Sequence, residues 1–335
     1  MDSITLGTVA AVPVTLTNKP ATPSQRWRVE MAQHFTKHAD AMAEAVAAFD
    51  LMTPKEQRRM VAQLRLRFSE LRPLVGLKAN RTSLTQSAAG NIKVAKNVAR
   101  TITYTGSPAT SGRVTVDTLR GPVEIVANNC PHAGKCARVC VLSGGNARYD
   151  GVRDGRRWRD LVAVLDPVGW VVLRRAELIA AADKFGAVLE RGDVGTEYGL
   201  ADLVPQLYAD TPKGNTVRGY DYGKRPQILR GDGWTADRHH RTVYSWNESS
   251  DARAVNRFLG RGGNVVMVAA IAKRDDVPAA VLIGSKWWPT IDGDKTDDRF
   301  NEAGGRVVIV RAKGKATEKK HAAHLGGFLQ EIQYR

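Results

Sequence analysis

The feature that most constrains the fold is an alternation running from residue 187 to residue 310. Strand-like segments AVLERG (187–192), TVRGYDY (216–222), RTVYSW (241–246), NVVMVAAI (264–271), AVLIGS (280–285) and RVVIV (306–310) are interleaved with helical stretches YGLADLVPQLYAD (198–210) and SDARAVNRFLG (250–260). Strands alternating with helices imply parallel pairing through right-handed crossovers. The near-continuous apolar character of VVMVAAI and VVIV fits strands buried on both faces. The expected class is therefore α/β. A closed or nearly closed β/α barrel of the TIM type accounts best for the pattern, and an open doubly wound sheet is the alternative. No Gly-x-Gly-x-x-Gly or P-loop pattern follows a strand, so a dinucleotide or nucleotide-triphosphate fold has no support.

Upstream, residues 1–23 read as an irregular lead-in broken by Pro13, Pro20 and Pro23. A helical pattern then runs from Ser24 to about Asp50. TPKE at 53–56 combines a Thr cap, Pro at the first helical position and Glu three residues after the Thr, a capping-box signature. Val61, Leu64, Phe68 and Leu71 share one face of the helix that follows, which should run to about Arg72. The expected organisation is an N-terminal helical hairpin region (1–84) followed by a barrel-like domain (85–335). Residues 101–126 have β character. Helices are expected over 156–165 and, from the Asp166–Pro167 start, to about Phe185.

All three cysteines of the 335 residues fall in one window, NNCPHAGKCARVC (128–140). No apolar run reaches the roughly 18 residues that span a bilayer, and no basic n-region precedes an apolar one. A cytoplasmic location with reduced thiols follows, where clustered cysteines point to metal or catalysis rather than disulfides. The spacing is C-x5-C-x3-C. Cys130, Cys136 and Cys140 could hold a [4Fe–4S] cluster with one iron open, the arrangement that S-adenosylmethionine-dependent radical chemistry uses. With His132 as fourth ligand they could instead hold a structural zinc. Three unliganded core thiols are the plain alternative.

Ligands of β/α folds sit at the C-terminal ends of the strands. There the sequence offers Asp193 and Glu197, then Asp221 and Lys224 in YDYGKRP, and Asn247 and Glu248 in YSWNES. Asp292, Asp294, Asp297 and Asp298 follow in IDGDKTDDRF, and Lys313 and Lys315 in AKGKA. Asp221, Asp292, Asp294 and Glu248 are the catalytic candidates, as general base, nucleophile or cation ligands. Lys313 and Lys315 form a candidate phosphate seat, and Lys224, Arg225, Arg299, Arg156 and Arg157 are further candidate phosphate contacts. The IDGDKTD segment lacks the Gly and Glu of a calcium loop. His239–His240 read best as an exposed polar loop. Trp287–Trp288 suit either base stacking or a hydrophobic plug.

Lys and Arg number 50 against 34 Asp and Glu, a formal charge of +16. Such an excess favours polyanions, nucleic acid first. The basic residues cluster at 55–81, 148–159 and 311–320.

Several ordered motifs together resemble a known family. GNIKVAK, the Cys-Pro start of the cysteine loop, the Arg-rich helix ending in DP, YDYGK, YSWNES, GGNVVMV, IDGD-x3-DRF and RAKGKA are similar to the phage "gene product 88" family over roughly residues 88–330. The family's pattern reads FYDYTK where this chain has GYDYGK, and carries a Ser-Asp strand end where this chain has DVGTEYG. The resemblance therefore transfers no role to Asp193 or Glu197. It implies phage origin and a bacterial host cytoplasm, and supplies no activity.

The expectation is an enzyme that modifies nucleic acid, DNA more than RNA, through the cysteine loop and the strand-end carboxylates, with the target base drawn out of the stack. With a cluster the chemistry would be radical. With zinc the carboxylates would act, for instance in base exchange at a glycosidic carbon. The rival is a non-catalytic DNA- or RNA-binding protein. The two differ in whether Asp221, Asp292 and Asp294 share a cleft. The sequence leaves the oligomeric state open.

Overall fold

The computed structural model describes residues 25–77, 83–84, 86–87, 100–106, 113–118, 121–140, 142, 147, 149–194, 196–271, 276–312 and 329–330. The chain opens with β1 (Gln25–Glu30), α1 (Met31–Lys37), α2 (Ala39–Leu51) and α3 (Pro54–Ser69). Next come β2 (Gln86–Ser87), β3 (Arg100–Thr105), β4 (Arg113–Thr118), β5 (Gly121–Asn128), α4 (Asp150–Leu165) and α5 (Pro167–Phe185). The alternating half holds β6 (Ala187–Val194), α6 (Leu200–Leu203), β7 (Thr216–Gly223), β8 (Trp234–Thr235), β9 (His240–Ser245), α7 (Ala252–Gly260) and β10 (Val265–Ala269). It closes with β11 (Ala280–Ile283), β12 (Lys286–Asp292), β13 (Val307–Arg311) and β14 (Leu329–Gln330).

The main sheet runs in the order β11-β12-β13-β10-β9-β7-β6-β3-β2, with β14 beside β10 and β8 beside β9. From β12 to β3 every neighbouring pair is parallel. At the two ends β11 pairs antiparallel with β12, and β2 antiparallel with β3. These antiparallel strands occupy the lateral positions that barrel closure would need. The expected closed barrel is thus corrected to an open, mostly parallel sheet. A second, three-stranded sheet joins β4, β5 and β1. Its β1 forms from residues expected to begin a helix, because QRWRVE finds a full six-residue parallel register on β5.

The strand order explains the layering. β3, β6, β7, β9 and β10 step one way across the sheet, so right-handed crossovers put their connections on one face. The register carries that face across the strands: Val188 aligns with Val217, and Tyr244 with Val265, which aligns with Val307. Val188 and Val217 share a core with Trp170 and Leu173 of α5, while Val265 and Val307 pack with Val255, Phe258 and Leu259 of α7. β13 inserts between β10 and β12, so the step from β12 to β13 runs backwards. The connection between them crosses the opposite face, beyond the cluster of Val243, Val266 and Val308.

The N-terminal helices belong to the first of these cores rather than to a separate arm. Phe35 stacks on Trp170 at 4.9 Å and meets Tyr198 edge-on at 4.9 Å. Met42, Val46, Phe49, Leu64 and Phe68 join the same cluster. Burying side chains of this size stabilises by roughly 1.5–3 kcal/mol each. The capping box forms as expected: Glu56 N–H donates to Thr53 Oγ1, and Thr53 N–H to Glu56 Oε2 at 2.8 Å. The expected helix over 198–210 is reduced to α6 and a 3-10 turn at Pro205–Tyr208, because Pro205 interrupts it.

Candidate functional site

The cysteine loop folds over the C-terminal ends of the parallel strands. It leaves β5, turns through a 3-10 helix at Gly134–Val139, and is anchored at four strand ends. After β6, Glu197 N–H donates to Asn129 O at 2.7 Å. After β9, Glu248 Oε1 accepts from Lys135 N–H at 2.7 Å. Gly134 has φ +51°, and a Cβ there would collide with the Glu248 carboxylate, so both the turn and the close approach need glycine. At the ends of β10 and β13, Val268 and Ala312 pack against Val139, as does Cys136 from within the loop. After β7, the Lys224 backbone N–H donates to Glu197 Oε1, and its ammonium interacts electrostatically with Cys130, Cys136 and Cys140.

Burial pushes the Cys130 thiol up to about 12, with Lys224 drawing it back, and raises Cys140 in the same way. Burial alone would pull the Lys224 ammonium down. Against burial, Cys136, Cys130, Glu197 and Cys140 raise it above its ordinary value. A cation at a strand end can offset charge that develops during a reaction. His132 is exposed. Among the described residues, no group of three or more His, Cys, Asp or Glu side chains converges closely enough to hold a metal ion.

Behind this mouth, on the helix-facing side of β7, lies Asp221. It is 5% exposed, and burial lifts it to about 6 against a hydrogen bond from Thr242. His240 Nε2 stands 3.9 Å from its Oδ2, and burial drives that imidazole down to about 3, so it is neutral. His240 is thus a core residue and not part of an exposed loop. Arg225 pairs with Asp202 at 3.2 Å. Asp221 Oδ1 and Glu197 Oε2 are both buried without a hydrogen-bond partner.

The other candidates are placed differently. Asp292 and Asp294 both bind Arg311, at 2.9 and 3.4 Å, and close the β12–β13 end as an ion-paired clamp. Burial would raise Asp292, but Arg311 and the Asp294 amide hold its carboxyl below the usual range. Between β7 and β12 lie β9, β10 and β13, so Asp221 and Asp292 stand roughly 19 Å apart at the usual strand spacing. The expected convergence of Asp221, Asp292 and Asp294 does not occur.

Arg299 is fully buried on the opposite face. Its Nε donates to Tyr222 Oη at 2.8 Å, its Nη2 to Gly293 O and Thr296 O, and its Nη1 to Glu302. It locks the β12–β13 connection and faces no solvent, so it is corrected from phosphate contact to structural tie. Arg157 pairs with Asp154 at 3.3 Å. Trp288 is buried and donates to Asn256 Oδ1, which favours the plug over base stacking. Lys313 and Lys315 lie outside the described residues.

Arg156 is 2% exposed, and its Nε and Nη1 have no partner. The sequence offered Arg156 as a candidate phosphate contact and Glu197 as a strand-end candidate. Their burial, and the hold of Glu197 Oε1 on the Lys224 backbone, arise from tertiary packing that no local pattern marks.

No curated protein and no solved structure matches the chain. The family model of Gene product 88 matches residues 81–325, which includes the cysteine loop and every strand end just described. The protein belongs to the Gene product 88 family.

Proposed function

We propose that this chain is a phage enzyme that modifies nucleic acid, with its reactive centre beneath the cysteine loop. One observation carries the reading: the loop that holds all three cysteines meets the ends of β6, β9, β10 and β13, where parallel α/β enzymes keep their sites. A purely structural knuckle would have no need of that position. The acid–base groups within reach are Glu197, Glu248 and Lys224, in place of the Asp292–Asp294 pair.

The nucleic-acid substrate is supported by the charge of +16 and by Lys55, Arg58 and Arg59, exposed on α3. The three thiols are the donor chemistry that iron or zinc takes, so the loop remains the candidate holder of a cluster or a zinc ion. No step here is routed through either. Anaerobic purification with metal analysis and an absorbance scan near 400 nm tests that part. A colourless, iron-free and zinc-free protein removes it.

The reaction is tested by expressing wild-type protein and the Lys224→Met and Cys136→Ala variants in a bacterial host. DNA and RNA are then digested to nucleosides for mass spectrometry. A new nucleoside with wild type, absent with both variants, is expected. Unchanged nucleosides in both nucleic acids overturn the enzyme reading. If the protein still binds DNA in that case, the non-catalytic role replaces it.

A further inference from the structure

Helix α3 presents a cationic face that the fold does not use. Met60, Val61, Leu64 and Phe68 turn toward the first core. The opposite side carries Lys55, Arg59, Ala62 and Leu66 at spacings of three and four, with Arg58 beside them, and all five are exposed. Among the described residues, Lys55, Arg58 and Arg59 make no hydrogen bond or ion pair. Arg65 and Arg67 flank them and reach Glu177 and Asp166 at 4.0 and 3.2 Å, while remaining 47% and 46% exposed. The only carboxylate within α3 is Glu56, whose Oε2 is taken by Thr53 in the capping box, and Glu70 caps the far end. Lys55 stands in the first turn, where the helix dipole disfavours a cation, so helix stability alone would not place it there.

The face leads toward the strand-end mouth. Arg67 pairs with Asp166, the residue that caps α5. α5 joins β6 through Gly186 alone, so its first turn lies at the C-terminal end of that strand. There Trp170 meets Tyr104, at the end of β3, and Tyr198, beyond the end of β6, at 5.3 and 6.1 Å. Tyr198 Oη in turn donates to Asn129 Oδ1 at 3.2 Å, next to Cys130. The last turn of α3 therefore stands at the same end of the sheet as the cysteine loop. We propose that this face of α3 is the docking surface for the phosphate backbone of the nucleic-acid substrate, which it holds beside the mouth. This deepens the function given above and rests on its nucleic-acid part. Lys55 lies about 18 Å along the helix from Arg67, the rise of roughly five nucleotides. Contacts of this kind position a strand without reading its sequence. A lipid surface fits less well, because a helix lying on a bilayer needs a continuous apolar face, and α3 spends its own on the core.

The test is fluorescence anisotropy of the full-length protein with labelled duplex DNA, single-stranded DNA and single-stranded RNA of mixed sequence, over a range of salt concentrations. Wild type should bind with an affinity that falls steeply as salt rises. The triple variant Lys55→Gln/Arg58→Gln/Arg59→Gln should bind at least about tenfold more weakly, with a log–log salt slope flatter by about 2–3. A control triple, Arg230→Gln/Arg253→Gln/Arg257→Gln, removes three exposed cations elsewhere and should lose less than about twofold. Whichever strand binds most tightly is assigned as the partner, and any of the three supports the surface provided the α3 triple loses affinity. Wild-type affinity and slope in the α3 triple overturn it, and so does an equal loss in the control, which would return the affinity to bulk charge. Binding to phosphatidylserine vesicles and to none of the nucleic acids also overturns it. The α3 triple changes only exposed, unpaired side chains and should melt with wild type. Should it not fold, Arg59→Gln decides through a slope flatter by about 1, and an unchanged slope overturns the proposal. Docking through α3 without any new nucleoside keeps the surface and removes the enzyme reading. A new nucleoside formed equally by wild type and the α3 triple, with equal binding, keeps the enzyme reading and removes the surface.

Discussion

Two buried arginines of this protein face opposite fates. Arg299, on the face crossed by the β12–β13 connection, spends every nitrogen on Tyr222, Glu302 and two carbonyls. Arg156, on α4, is nearly as deeply buried, and among the described residues its Nε and Nη1 find no hydrogen-bond partner. Arg174 is tied through a carboxylate: it meets Glu190 through two bonds of 2.8 Å, and Tyr208 donates to the same carboxylate at 2.8 Å, although its Nη1 makes no hydrogen bond. Burial alone thus does not separate a charge held by a carboxylate from one that is not. The ion pair does, because it offsets the desolvation cost that an unpaired buried charge bears.

That contrast can be broken by mutation. The largest effect should come from Arg174→Met, which strands the Glu190 carboxylate under α5. A loss of about 3–5 kcal/mol is expected, read as a lower urea midpoint. A loss under about 1 kcal/mol would contradict a closed network. Arg299→Met should cost about 3 kcal/mol, since Glu302 and Asp297 lose their shared cation. It should also expose the 293–306 connection to limited proteolysis before the rest of the chain, and cleavage elsewhere first would dismiss the locking role.

Asp221 gives a pH-dependent version. Its folded value of about 6 lies above the ordinary 3.8, so the stability it contributes is full below about pH 4 and is lost as pH rises through about 6. Asp221→Asn should therefore gain on wild type by on the order of 3 kcal/mol between pH 4 and pH 7, followed by denaturation at each pH. A constant difference across that range would rule out the raised carboxyl. The smallest effect belongs to Arg156→Met. Removing an unpaired buried charge should leave stability unchanged or raise it by about 1 kcal/mol, the opposite sign to Arg174→Met. A drop comparable to Arg174→Met would return Arg156 to the structural class.

Much of the main sheet was legible in the chain. β7, β9, β10 and β13 fall where apolar runs such as VVMVA and VVIV mark them, and α7 where its amphipathic spacing does. The TPKE cap closed as written. β12 was missed: KWWPTID follows GS, and its Trp pair and proline disguise a strand that pairs with both β11 and β13. The helix expected from Ser24 failed at its start because β1 is held by β5, some hundred positions away in sequence. In the candidate site, Lys224, Glu248 and the three cysteines were identifiable. The burial of Glu197 and of Arg156 was not.

The sequence by itself determined the α/β alternation, the cationic excess and the gathering of every cysteine into one short loop, all properties of local pattern or bulk count. Only the tertiary structure decided that the sheet stays open, with antiparallel edges where closure would be. It also decided that the cysteine loop lies over the strand ends, and which charges are spent. The physical reason is the range of the contacts. Arg191 meets Asp297 at 2.7 Å, and Arg175 meets Asp50 at 2.7 Å, across stretches of chain that no periodicity spans. A charge shows its role only through the partner it finds or lacks.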